Sequence, residues 1–150
     1  MIEKTKQLCL IDSNILIYAY TDSDYKKHII ARNLIEKCWK KEVNYAISTQ
    51  NLAEFFVVIT KKVPNPLSIE EAEHIINDIC AFSNWFIINY DQNILLKAMN
   101  LHKEKKKHFW DALIVATMLN SNVYNIYSEN VNDFKLYEQI NVINPFISSP

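Results

Sequence analysis

Leu8-Cys9-Leu10-Ile11-Asp12-Ser13-Asn14-Ile15-Leu16-Ile17-Tyr18 decides how the chain is read. Four apolar residues run without interruption into a single carboxylate, two small polar residues follow, and a second apolar run begins. A continuous apolar run of this kind marks a strand buried on both faces, as in a parallel sheet. Ser13 and Asn14 are turn and N-cap residues, so the strand gives way to a helix there. Asp12 then stands at the carboxyl end of a central strand, beyond which open α/β sheets bind their ligands. The residues leave a second role equally open, in which Asp12 simply caps the helix that follows.

The same alternation continues outward. Tyr25 to Lys41 carries its apolar residues at helical spacing, and Tyr45-Ala46-Ile47-Ser48 is a second strand. Thr49 is placed to cap a helix over Gln50 to Lys62 ahead of Pro64 and Pro66. Ser68 and Glu71 form a capping box for a helix reaching about Ser83, and Trp85 to Ile88 is a third strand. Asp91 caps a helix to about His102, His108 to Leu119 is a strongly apolar helix, and Val123 to Tyr127 is a fourth strand. Val142-Ile143 offers a short fifth. Strands alternating with helices predict an α/β fold, a sandwich around a central parallel sheet of four to five strands. No repeat or low-complexity linker divides the chain, so a single domain over residues 1–150 is expected.

Composition narrows the function. A net charge of −1 makes the chain no polycation, and any nucleic-acid contact must come from a local patch. The chain has no glycine, which excludes the Walker A loop, the G-x-G-x-x-G fingerprint and the G-x-S-x-G elbow. Asparagine is expected at turn positions that ordinarily favour glycine. Cys9, Cys38 and Cys80 show no C-x-x-C spacing and read as reduced thiols, mostly buried. No apolar run spans a bilayer and no signal core follows a basic start, so a cytoplasmic protein is expected, with no membrane partner.

Carboxylates in apolar surroundings call for a reason, because burying them is costly unless they are paired or bound to a cation. Asp12 is one. Glu54 lies in Asn51-Leu52-Ala53-Glu54-Phe55-Phe56-Val57-Val58, near the start of a helix. Asp111 opens the most apolar helix, in Phe109-Trp110-Asp111-Ala112-Leu113-Ile114. Glu129 and Asp133 follow the fourth strand in Ser128-Glu129-Asn130-Val131-Asn132-Asp133-Phe134. Each alone is an ordinary helix-dipole or loop acid. Together they occupy one edge of a parallel sheet, where they repel one another unless a cation neutralises them. Oxygen-only ligation favours Mg²⁺ or Mn²⁺, ions that activate water and stabilise charge on a phosphodiester.

The strand-plus-Asp-Ser-Asn-Ile-Leu opening, the Leu-x-Glu-Phe helix, Phe-Trp-Asp-Ala-Leu-Ile and Tyr-Ser-Glu-Asn-x-x-Asp-Phe together resemble a PIN domain, most of all the VapC-type toxins of bacterial toxin–antitoxin pairs. The resemblance covers essentially the whole chain. It implies an α/β/α sandwich and a Mg²⁺-dependent endoribonuclease acting on RNA, inhibited by a VapB-like antitoxin and often a homodimer. It implies that Asp12 and Asp111 hold the metal most directly and that Glu54 binds it or orients the attacking water. The fourth acid of the family matches Glu129, 18 residues after Asp111, with Asp133 as an alternative metal ligand. Asn130 departs from the family pattern at this point.

Ser13, Asn14 and Ser128 are candidates to hydrogen-bond the ligating carboxylates. Lys103, Lys105, Lys106 and Lys107 form the one concentrated basic run, either a solvated segment or contacts for RNA phosphates. Phe55, Phe56, Trp39 and Tyr18 read as core. Apolar residues in 25–41 and 52–59 leave room for an antitoxin helix or a second protomer. Other readings are a PIN nuclease of RNA processing without an antitoxin and a catalytically silent RNA- or protein-binding module. A phosphoacceptor role for Asp12 lacks the partner acids that such sites need.

Overall fold

A computed structural model of the chain describes residues 8–147. Five strands, β1 (Cys9–Ile11), β2 (Tyr45–Ser48), β3 (Trp85–Ile88), β4 (Asn125–Tyr127) and β5 (Asn141–Ile143), form one sheet in the order β3-β2-β1-β4-β5. Every neighbouring pair is parallel. The chain starts at the centre, builds outward through β2 and β3, then crosses back to add β4 and β5 on the other side. The reversal falls between β1 and β4, where ligands of open parallel sheets bind.

Alternate residues of β1 serve opposite layers. Cys9 and Ile11 join the core that helices α1 (Ser13–Tyr20), α2 (Tyr25–Trp39), α3 (Thr49–Lys61) and α4 (Ile69–Ala81) build on one face. Leu8 and Leu10 join Ala46 and Ile126 on the other face, under α6 (Phe109–Asn120) and the short α7 (Val131–Phe134). The helix α5 (Gln92–Lys105) covers the outer side of α6 through Ile94 and Ala98 against Leu113 and Ala116. Sheet on one side and α5 on the other explain why α6 is buried at every position from Ala112 to Met118. The fold is thus the α/β/α sandwich expected, with five strands.

Several boundaries move. Ser48, not Thr49, caps α3: its hydroxyl accepts from the Asn51 amide at 3.0 Å and donates to Asn51 Oδ1 at 2.6 Å. Asp12 itself, not Ser13 or Asn14, is the N-cap of α1. α5 runs a turn further than the expected end at His102, so Lys103 and Lys105 lie in its last turn and Lys106 adopts a left-handed C-cap at φ 53°. Asparagine fills one left-handed position, Asn122, while Lys41 and Lys106 fill the two others found among the described residues. The penalty for a side chain there is about 1–2 kcal/mol per residue, small enough for a single cap position to absorb. Cys9 and Cys38 are buried, and burial pushes the Cys9 thiol up to about 12 and that of Cys38 to about 11; Cys80 is exposed. No helix among the described residues is long and apolar enough to cross a membrane.

Candidate active site at the carboxyl edge of the sheet

Parallel strands fix where the chemistry sits. β1, β2 and β4 end side by side, with Ile11 opposite Tyr127, so the residues that follow them emerge on one edge. Helices connecting parallel strands run back the other way, so those that follow a strand begin at that edge. Asp12 leaves β1, Ser128 and Glu129 leave β4, and α3 starts directly from β2. α6 precedes β4, and its first turn brings Asp111 to the same edge.

Asp12 is 4% exposed and takes hydrogen bonds from both sides. Oδ1 accepts from the Ser13 amide at 2.8 Å and from Asn51 Nδ2 at 3.2 Å. Oδ2 accepts from Ser128 Oγ at 2.6 Å and from Asn14 Nδ2 at 3.3 Å. Asp12 thus caps α1 and also stands at the switch point of the sheet, so its capping does not exclude the other role the sequence left open. Ser13 Oγ reaches across to Glu54 Oε2 at 2.7 Å, linking the two acids through one residue. Glu54 Oε1 accepts from Gln50 Nε2 at 3.2 Å. Glu54 is the sixth residue of α3 and sits in its second turn, beyond the first-turn position where the helix dipole alone would account for it.

The carboxyls feel one another. Burial, and then repulsion from Glu54 and Asp111, raise Asp12 to about 6 despite its hydrogen bonds to Ser128 and Ser13. Burial, and then repulsion from Asp133 and Glu54, raise Asp111 to about 6, partly offset by His108. Asp12, Glu54, Asp111 and Asp133 thus form one electrostatic group. Glu129 stands apart. Its Oε2 pairs with Lys27 Nζ at 2.6 Å and its Oε1 accepts from Tyr18 Oη at 3.4 Å. The hydrogen bond to Glu129 holds the Lys27 ammonium above its ordinary range, and Lys27 also packs over the Tyr18 and Phe146 rings. The backbone of Glu129 remains at the site, where its amide donates to Asn14 Oδ1 at 3.4 Å.

Oxygen donors that raise one another's proton affinity are the donor set of a hard divalent cation, so in chemical type the residues fit Mg²⁺ or Mn²⁺. They are not drawn together as the sequence led us to expect. Among the described residues, no three His, Cys, Asp or Glu side chains converge closely enough to hold a metal ion as they stand. The reason is local: Asp12 and Glu54 are each held by their own donors, and like charges keep apart.

Two residues of this site are not apparent from the sequence. Asn51 is fully buried and links the α3 cap to Asp12; its signal is the Ser48-x-x-Asn51 spacing, a capping box with Asn in place of Glu or Gln. Gln50 spans from Glu54 to the Trp110 carbonyl at 3.1 Å, and no sequence pattern marks it. Lys103, Lys105, Lys106 and Lys107 lie at the end of α5 and in the loop before α6. They neighbour the Asp111 turn in sequence and are in no ion pair with the site acids among the described residues.

The raised carboxyls set a pH dependence. A group whose proton affinity is higher in the folded than in the unfolded chain favours folding fully below the unfolded value, near 4, and loses that contribution as pH rises through about 6. For the buried Asp12 the loss amounts to roughly 3 kcal/mol. Chemical denaturation in EDTA is expected to show stability falling between pH 4 and pH 7, and a flatter profile in Asp12→Asn. A wild-type profile that rises over this window contradicts the assignment.

A PIN domain family model matches residues 9–137. No curated protein sequence matches the chain. Among solved structures, a toxin–antitoxin complex from Klebsiella pneumoniae aligns at 26% identity and TM-score 0.63, over 91% of this chain and 97% of that one. Mycobacterium tuberculosis VapC20, described as a Sarcin-Ricin loop cleaving toxin, aligns at 15% identity and TM-score 0.65, over 86% and 95%. FitAcB from Neisseria gonorrhoeae aligns at 14% identity and TM-score 0.58, over 93% and 99%. The last two likenesses speak for the fold.

Proposed function

The chain belongs to the PIN-domain family, and from that premise we propose that it is a nuclease toxin, a metal-dependent endoribonuclease held in check by a small VapB-like antitoxin in the cytoplasm. One observation carries the reading. Asp12 and Asp111, far apart in sequence, stand at one sheet edge with Glu54, where burial first and repulsion between the acids second push both carboxyls up. Burying carboxylates beside one another is costly unless a partner offsets their charge, and a divalent cation is the partner this arrangement suits. The solved toxin–antitoxin relative from Klebsiella pneumoniae supports the partner. The RNA-cleaving description of VapC20 supports the substrate.

In this reading Asp12, Asp111 and Asp133, which do not converge on a common point as they stand, would close on Mg²⁺ when it binds, with Mn²⁺ as a substitute. When bound, the metal supplies Lewis-acid stabilisation of phosphodiester charge and lowers the proton affinity of water. Asp12 is oriented by Asn51, Asn14 and Ser128, which fix both its oxygens. Glu54, tethered by Ser13 and Gln50, would bind the metal with the aspartates or orient the attacking water. The charge pair with Lys27 makes Asp133 the better fourth acid and gives Glu129 a positioning role at the start of the β4 loop.

Ser128→Ala removes the shortest hydrogen bond to Asp12, the largest influence opposing its raised proton affinity. Mn²⁺ affinity by calorimetry is expected to fall about 10–100-fold, as for other groups that orient a ligand. Unchanged affinity removes Ser128 from the groups that orient Asp12 for the metal. The function itself is tested by expressing the chain alone in a bacterial host. Growth arrest that Asp111→Asn abolishes and a neighbouring small open reading frame relieves is the expected result. Active RNA cleavage without growth arrest favours the RNA-processing alternative.

A further inference from the structure

Trp110 is 61% exposed in the first turn of α6, one residue before Asp111. A large aromatic left open beside a polar site needs an occupant more than a scattered surface leucine does. It lines a groove of about 430 Å³ together with Ala53, Val57 and Val58 of α3, with Glu54 in the second turn of that helix and Lys62 at its C-cap. Val57 is itself 44% exposed. Gln50 fixes the spacing of the groove from the acids, because one amide nitrogen donates both to Glu54 Oε1 and to the Trp110 carbonyl.

The groove has the volume of a small-molecule site, and its lining runs along α3 from Gln50 to Lys62. Its two ends also differ in charge. An exposed indole, packed against Phe109 with ring centroids 5.6 Å apart and bordered by apolar Val57, suits stacking with one further aromatic ring, and Lys62 suits a neighbouring phosphate. We propose that this groove is a base subsite, in which a single unpaired nucleobase flanking the scissile phosphate stacks on Trp110 against the Val57 wall. Trp110 is then a positioning residue that selects single-stranded over paired RNA, since a base within a duplex offers no free face. The proposal rests on the nuclease reading for the identity of its ligand.

The test uses a short oligouridylate and an abasic ribose–phosphate chain of the same length as probes. Binding is measured by tryptophan emission in the Asp111→Asn background, and cleavage of single-stranded RNA is measured in the otherwise wild-type chain. The oligouridylate is expected to quench emission and the abasic chain is not, with the quench lost in Trp110→Phe. Trp110→Leu is expected to lower oligouridylate affinity and kcat/KM by roughly tenfold or more, the loss of one base–aromatic stack. Trp110→Phe is expected to restore most of both.

Equal binding of the two probes overturns the subsite. So does undiminished RNA affinity in Trp110→Leu, the result if this face is instead covered by a protein partner. The two readings fail separately. A chain that cuts no RNA yet shows the base-dependent quench loses the nuclease assignment and keeps the subsite. Full cleavage by Trp110→Leu keeps the nuclease and removes the subsite.

Discussion

Asp111→Asn is expected to lower RNA cleavage by about 10³-fold while leaving the metal-free protein at least as stable as wild type above pH 7. The two effects have one cause. The Asp111 carboxyl is raised to about 6 by burial and by repulsion from Asp133 and Glu54, so its charge is unfavourable to the fold wherever it is ionised. Asparagine keeps the shape and removes that charge. In the proposed nuclease the same charge helps bind a cation whose contribution to phosphodiester chemistry is several kcal/mol, and about 4 kcal/mol corresponds to three powers of ten in rate. Thermal denaturation and single-turnover cleavage check both halves. Activity within tenfold of wild type removes Asp111 from the catalytic machinery. A large fall in melting temperature assigns it a structural role instead.

Phe55→Ala is expected to have the largest effect on stability. Phe55 follows Glu54 directly, is fully buried, and lies edge-on to Tyr20 with ring centroids 5.8 Å apart. It anchors α3 in the core on the face of the sheet that α1 and α2 also cover. Truncation removes the ring and leaves a cavity, a loss of about 3–5 kcal/mol. In a chain of this length that corresponds to a melting temperature lower by roughly 10 °C. The same helix carries Asn51 and Glu54, so metal affinity is expected to weaken along with stability. A destabilisation under about 1 kcal/mol would mean that α3 is held by other contacts.

The fold is legible in the sequence where one physical signal dominates. The apolar run ending at Asp12 marks a central strand, and Ser68 and Asp91 mark helix starts, because capping acts within one turn of the chain. All five strands are readable, but their order is not. Nothing local states that β4 returns to pair with β1, since that pairing depends on burying two faces at once. The cap of α3 lies one residue before the expected Thr49 because Ser48 and Thr49 are both good caps, and only the fold of Asn51 back onto Ser48 distinguishes them.

At the site, residue type is more informative than geometry. The acids can be picked out because carboxylates are rare in apolar segments. Which of them face one another depends on side-chain direction and on long-range partners. Glu129 has the expected spacing and yet turns to Lys27, 102 residues earlier in the chain, a pairing that no sequence window contains. Asn51 and Gln50 are hidden for the same reason, since their partners Asp12 and Trp110 are 39 and 60 residues away. Trp110 belongs to an apolar helix, where helical spacing does not reveal that its ring is left outside the core.

The most direct test of the metal-dependent ribonuclease assignment is cleavage of a total-RNA and tRNA panel by the purified chain with Mg²⁺ or Mn²⁺, with EDTA, and with Asp12→Ala and Asp111→Asn. Discrete cuts that require both the metal and the two carboxylates are the predicted result. A folded, metal-loaded protein that cuts no RNA, or cutting that survives in both variants, would contradict the assignment.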